Sequence, residues 1–165
     1  MKKIITLLAV VGMFSLQGCT VEDNSVDNDT ISTVFETKEV SFIPTNNFTI
    51  RFNFPSAIFP SDMVLVYRLA GTLNGKDVWE FLPETYYFAD GTRDFSYNFN
   101  FTNTFVDIYL NSNDLISVPS GNRLNQIFRI VVVPANLINA VDKNNYPAVM
   151  SALKIKENQI QKINF

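Results

Sequence analysis

"NFTIRFNF", residues 47–54, and "DFSYNFNF", residues 94–101, decide the fold. In the first, Phe48, Ile50, Phe52 and Phe54 share one side of an extended chain, with Thr49, Arg51 and Asn53 on the other. The second sets Phe95, Tyr97, Phe99 and Phe101 against Ser96, Asn98 and Asn100. Successive side chains of a strand point to opposite faces, so strict alternation marks a strand with one buried and one solvated face. Working outward, further strands are predicted over residues 34–42, 63–69, 78–82, 85–88, 104–110 and 127–133.

Turn chemistry separates these segments at Phe59-Pro60-Ser61-Asp62, Asn74-Gly75, Asp90-Gly91 and Pro119-Ser120-Gly121-Asn122. Asn-Gly and Asp-Gly pairs suit the positive-φ positions of tight hairpins. Short strands with frequent turns predict a mostly β domain, an antiparallel β-sandwich of Ig-like style. Between residues 34 and 133 nothing has the length and period of a crossover helix, which disfavours a parallel α/β fold. "PANLINAV" (134–141) and "NNYPAVMSALKI" (144–155) read as short C-terminal helical segments, with Asp142 or Asn145 as caps and Pro147 in a first turn. The closing "QIQKINF" (159–165) reads as a last strand or a packed arm.

The N-terminus has a different logic. Lys2 and Lys3 precede an apolar run from Ile4 to Leu16, shorter than the roughly 20 residues a membrane helix needs. That is the pattern of a secretory signal peptide, residues 1–18. Leu16-Gln17-Gly18-Cys19 resembles the lipobox of bacterial lipoproteins, with Gln17 standing where smaller residues are commoner. The resemblance implies that the Cys19 thiol accepts a diacylglyceryl group, that cleavage falls between Gly18 and Cys19, and that the new amine is acylated. A thiolate is the nucleophile such a transfer requires, and three acyl chains exceed the two signals that stable anchoring takes. Cys19 is thus expected to hold the chain on the outer membrane, facing either the cell surface or the periplasm.

Residues 19–33 are polar and acidic and lack aromatic residues, the composition of a flexible tether. Within them Glu22-Asp23 is similar to the acidic export tag of Bacteroidetes surface lipoproteins. Asp29-Thr30-Ile31 resembles a short O-glycosylation sequon with Thr30 as acceptor. Both stretches also read, and more simply, as a solvated linker. The remaining residues, 34–165, read as a single domain.

Composition removes several functions. Loss of residues 1–18 takes away two of the 13 basic side chains and leaves 11 against 16 acidic ones. With no basic cluster in such a chain, nucleic acid is not an expected partner. Cys19 is the one cysteine and histidine is absent, so Ser-His-Asp and Cys-His systems and typical zinc sites are excluded. No phosphate-binding glycine motif occurs, and no cofactor is called for.

What remains are carboxylates and aromatics. Glu80, Glu84, Asp90 and Asp94 offer a glycosidase-type pair, and "ADGTRD" (89–94) offers Asp90 and Asp94 as weak calcium ligands. The same loop also reads as a solvated turn in which Arg93 pairs with a neighbouring carboxylate. Phenylalanine dominates the aromatics, 15 Phe against 6 Tyr and one Trp, which favours core filling over a sugar-binding platform. Trp79, Tyr86, Tyr87 and Tyr109 are the candidates for a binding surface, because neighbours in a strand cannot all face inward. They become core residues instead if both sheet faces are covered.

The stretches "SDMVLVYRLAG" (61–71), "VWEFLPETYYFADGT" (78–92) and "ALKIKENQIQKINF" (152–165) resemble a group of Bacteroidetes lipoproteins of Flavobacterium type, uncharacterised in activity. Members often carry a collagen-like segment between the lipidated cysteine and the domain, which this chain lacks. Some are labelled dihydrolipoamide dehydrogenases. That activity needs a redox cysteine pair, a histidine base and a dinucleotide turn, none of which is present. The expectation is a non-enzymatic envelope lipoprotein that binds a partner protein or polysaccharide or supports the envelope. The alternative is a carboxylate-dependent hydrolase of extracellular polysaccharide.

Overall fold

A computed structural model of the chain describes residues 32–138 and 141–163. Gly18, Cys19, Glu22, Asp23 and Thr30, and with them the signal peptide, lipobox, export tag and sequon, lie outside the described residues. Nine strands are described: β1 (Thr33–Thr37), β2 (Thr49–Asn53), β3 (Met63–Leu73), β4 (Lys76–Phe81), β5 (Glu84–Tyr87), β6 (Arg93–Phe101), β7 (Phe105–Ser112), β8 (Phe128–Val133) and β9 (Gln161–Ile163). Three short helices join them: α1 (Ser120–Arg123), α2 (Ala135–Ile138) and α3 (Tyr146–Ala152). One sheet runs β4-β3-β8-β1-β9 and the other β2-β7-β6-β5. Pairing is antiparallel except between β1 and β9, which run parallel.

The alternating stretches fall in the four-stranded sheet. Its inner side chains Ile50, Phe52, Phe95, Tyr97, Val106, Ile108 and Leu110 share one apolar core with Phe35, Val64, Val66, Phe128, Ile130 and Val132 of the other sheet. Ring contacts cross the interface, Phe35 to Phe52 at 4.9 Å and Tyr97 to Phe128 at 6.1 Å. The centre of the five-stranded sheet is buried on both faces. Its outer side chains Val34, Leu65, Tyr67, Trp79, Val131 and Val133 meet Tyr146, Val149 and Met150 of α3 in a second core. Every residue of β8 is therefore buried, and "FRIVVV" shows no alternation.

Several local expectations are corrected. The strand predicted over residues 34–42 stops at Thr37, where Lys38 and Glu39 face solvent, and Val40 rejoins only through a bridge to Gln126. Phe48 is buried but lies outside β2, because Asn47 and Phe48 are both left-handed with φ of 51° and 52°. Asn74 and Gly75 both take positive φ in the β3–β4 hairpin, as a two-residue turn requires. At Asp90-Gly91 only Gly91 does so. Asp90 instead accepts hydrogen bonds from the backbone N–H and hydroxyl of Thr92, at 2.9 and 2.6 Å, which builds a longer loop. The turn at Pro119–Asn122 winds into α1, where Leu124 N donates to Ser120 O. Asn145, not Asp142, caps α3 through its side chain on Ala148 N at 3.1 Å, while Asp142 holds Asn144 N. The terminal stretch forms β9 as a parallel partner of β1, with Phe35 opposite Gln161.

Candidate functional site

The four aromatic candidates do not come together. Trp79 on β4 is 9% exposed, its ring 5.7 Å from that of Tyr146 and 4.1 Å below the guanidinium of Arg129. Tyr86 on β5 turns inward and stacks on Phe95 at 4.5 Å. Its neighbour Tyr87 faces out, 64% exposed, and Phe88 follows at 54%. Tyr109 is half-buried on β7, opposite Thr49 and Asn98. Of the four, Tyr87 is the exposed one, beside Phe88 at the end of edge strand β5, while Tyr109 lies on the outer face of its sheet.

The carboxylates serve separate purposes. Glu80 is exposed on β4, Asp90 closes its loop and Asp94 is half-buried at the start of β6. Arg93 reaches Asn111 Oδ1 at 3.4 Å rather than a carboxylate. Among the described residues, no three acidic, cysteine or histidine side chains converge as a metal site would need. Glu84 is held at the end of the inter-sheet core. Arg68 donates Nε to its Oε2 at 2.7 Å and Nη2 to its Oε1 at 2.8 Å, and the Tyr86 hydroxyl donates to Oε1 at 2.7 Å. Arg68 also donates to Gln126 Oε1 and lies 4.9 Å over the Tyr97 ring. Burial would raise the Glu84 pKa, but the bonds from Arg68 and Tyr86 outweigh it and hold the carboxyl below its ordinary value of 4.5. Burial pushes the Tyr97 phenol up to about 12.

A second buried arginine serves the outer core. Arg129 on β8 donates Nε to Glu36 Oε2 at 2.8 Å, grips Glu157 through Nη1 and Nη2 at 2.9 and 2.7 Å, and bonds the Tyr146 hydroxyl. Lys162 of β9 bonds the other oxygen of Glu36. Burial of Glu36 is again outweighed, by Lys162 and Arg129, and its pKa falls below 4.5. Burial raises Tyr146 to about 12. An open groove of about 560 Å³ passes Trp79, Tyr146 and Glu157 here, but the charges of Arg129, Glu36 and Glu157 already satisfy one another.

A further cavity, of about 300 Å³, lies where the segment after β2 crosses to the five-stranded sheet, lined by Phe35, Phe54, Ile58, Phe59, Asp62 and Val132 among others. Asp62 is 7% exposed. Its Oδ2 accepts from Phe59 N at 3.2 Å, and its buried Oδ1 has no hydrogen-bond partner among the described residues.

Compared with protein-family models, curated proteins and solved structures, the chain gives no match. The site residues that sequence reasoning missed are Arg68, Arg129, Gln126, Tyr146 and Asp62. The arginines carried a readable signal, since each interrupts an apolar strand and a buried guanidinium demands a carboxylate. Asp62 read only as the end of a turn, which accounts for Oδ2 and not for Oδ1.

Proposed function

We propose that the chain is a lipid-anchored bacterial envelope protein whose domain is an Ig-like sandwich serving as a non-enzymatic binding or structural module. The observation that carries the non-enzymatic part is the engagement of Glu84. A glycosidase acid needs a carboxyl free to exchange a proton with substrate, and Glu84 is fixed by Arg68 and Tyr86. The shared apolar core and the Arg68–Glu84 pair between β3 and β5 support the sandwich. The anchor rests on Leu16-Gln17-Gly18-Cys19, and the kinship to Bacteroidetes lipoproteins on the three stretches quoted above. Tyr87 and Phe88 are the natural contact for an envelope protein or polysaccharide, being exposed, apolar and adjacent.

Labelling cells with a palmitate analogue should mark the wild-type chain and not Cys19→Ser. A labelled Cys19→Ser, or an unlabelled wild type, would remove the anchor. Protease shaving of intact cells then separates a surface domain, which is digested, from a periplasmic one, which survives until lysis. Hydrolysis of a polysaccharide that disappears in Glu84→Gln would replace the module with the hydrolase.

A further inference from the structure

We propose that the end of the domain where β1 begins is a membrane-contact surface, which seats Phe59 in the interface of a zwitterionic lipid bilayer and turns Tyr87 and Phe88 away from it. The inference rests on the lipid anchor proposed above and adds an orientation that an anchor alone does not give. It holds for either leaflet.

The geometry brings three segments to that end. Thr33 opens β1 opposite Val132, and Met63 opens β3 opposite Val133. The segment after β2 is tied to the β6–β7 hairpin, Phe54 N donating to Thr104 O at 2.9 Å and Ile58 N to Asn103 O at 2.8 Å. Thr33 and Phe59 line the same concavity. The chain that leads back to Cys19 therefore joins the domain beside Phe59. Residues 20–32 separate the two points, and even fully extended that stretch spans no more than about 50 Å. An anchored domain meets the bilayer repeatedly at high effective concentration, so a small apolar contact is enough to orient it.

The chemistry of the surface names the occupant. Residues 53–61 and 101–106 contain no charged side chain, and the adjoining Asp62 is buried. Phe59 is 48% exposed and Met63 38%, with Pro55, Ala57 and Pro60 exposed between and beside them. An uncharged end with a protruding aromatic ring loses little on entering the interface and gains by burying apolar area there. The opposite end differs. It also exposes Leu73, Tyr87 and Ile116, but beside Lys76, Asp77, Asp90, Arg93 and Asp114, all exposed. Those charges would have to be stripped of water before that end could sit in a bilayer. No lysine or arginine in the contact segments offers a partner to anionic headgroups, and without residues 1–18 the chain carries 11 basic against 16 acidic side chains. A zwitterionic interface is the one that does not repel it.

The test uses the full lipidated chain in phosphatidylcholine vesicles whose acyl chains are brominated, with a tryptophan reporter at either end, Phe59→Trp or Leu73→Trp. Both positions are exposed, and Trp79 adds the same background to each. The fraction of fluorescence quenched in Phe59→Trp should be at least about twice that in Leu73→Trp. Equal quenching, or more in Leu73→Trp, would overturn the orientation and leave Phe59 to a protein partner. A chain that does not float with the vesicles refutes the anchor itself and takes this inference with it, an outcome distinct from equal quenching of a chain that floats. The wild type repeats the test without substitution, on bilayer discs doped with a spin-labelled lipid. Amide signals of residues 53–61 and 102–104 should broaden while those of residues 74–77 and 88–93 persist. The reverse pattern, or broadening spread evenly over both ends, sinks the assignment.

Discussion

Arg68 and Arg129 show how a charge survives inside an apolar strand. Each guanidinium meets a carboxylate through two nitrogens and lies over an aromatic ring, Arg68 on Glu84 and Tyr97, Arg129 on Glu157 and Trp79. Breaking such a pair leaves one buried charge unanswered, whereas replacing both members with apolar side chains need cost little. Glu84→Leu should therefore lose about 3–5 kcal/mol in urea unfolding, and Arg68→Met with Glu84→Leu should recover most of it. Additive losses in the double variant would contradict the pairing. The pH dependence follows from the same residues. Glu36 and Glu84 both sit below 4.5 in the folded chain. Their contribution is complete above that value and is lost as pH falls through the lowered folded values. The urea midpoint should be flat from about pH 7 to about pH 5 and drop below. The Arg68→Met, Glu84→Leu variant should show a shallower drop, and a decline already under way at neutral pH would point to other groups. None of these partners was legible in the sequence, since Arg68 and Glu84 are 16 residues apart and Glu36 and Arg129 are 93 apart.

Among the elements, legibility follows solvent. β2, β6 and β7 keep one face wet, so polar residues mark the period, with Arg51 against Asp107 and Asn100 beside it on the outer side. β8 is covered on both faces and shows no alternation, so residues 127–133 read as a strand without showing that both its faces are buried, and three-residue β9 is too short for a period to show. Turn residues were legible where backbone geometry demanded them. Gly75 has φ +74 and no atom within 4 Å of the position a Cβ would take, while Gly121 in α1 has ordinary φ and the same open space. Gly75→Ala should thus cost about 1–2 kcal/mol through the backbone alone. Gly121→Ala should be neutral or gain up to about 1 kcal/mol. Equal effects of the two in thermal unfolding would mean that the hairpin turn does not depend on its left-handed residue. The left-handed Phe48 had no such signal, because nothing in its side chain asks for that conformation.

At the scale of the whole molecule, the last strand joins both cores. β9 pairs with β1 from Gln161 to Ile163, and Lys38 N donates to Ile163 O at 3.0 Å. Ile163 packs on the inter-sheet core, Ile160 on the outer one, and Lys162 completes the partners of Glu36. Removing residues 161–165 would turn β1 from an interior strand into an edge with unpaired backbone groups, and uncovered edges pair with other chains. The truncated chain should therefore unfold at lower urea and associate as concentration rises, read by light scattering after gel filtration. A monomer of undiminished stability would show that β1 and β8 hold the sheet without it.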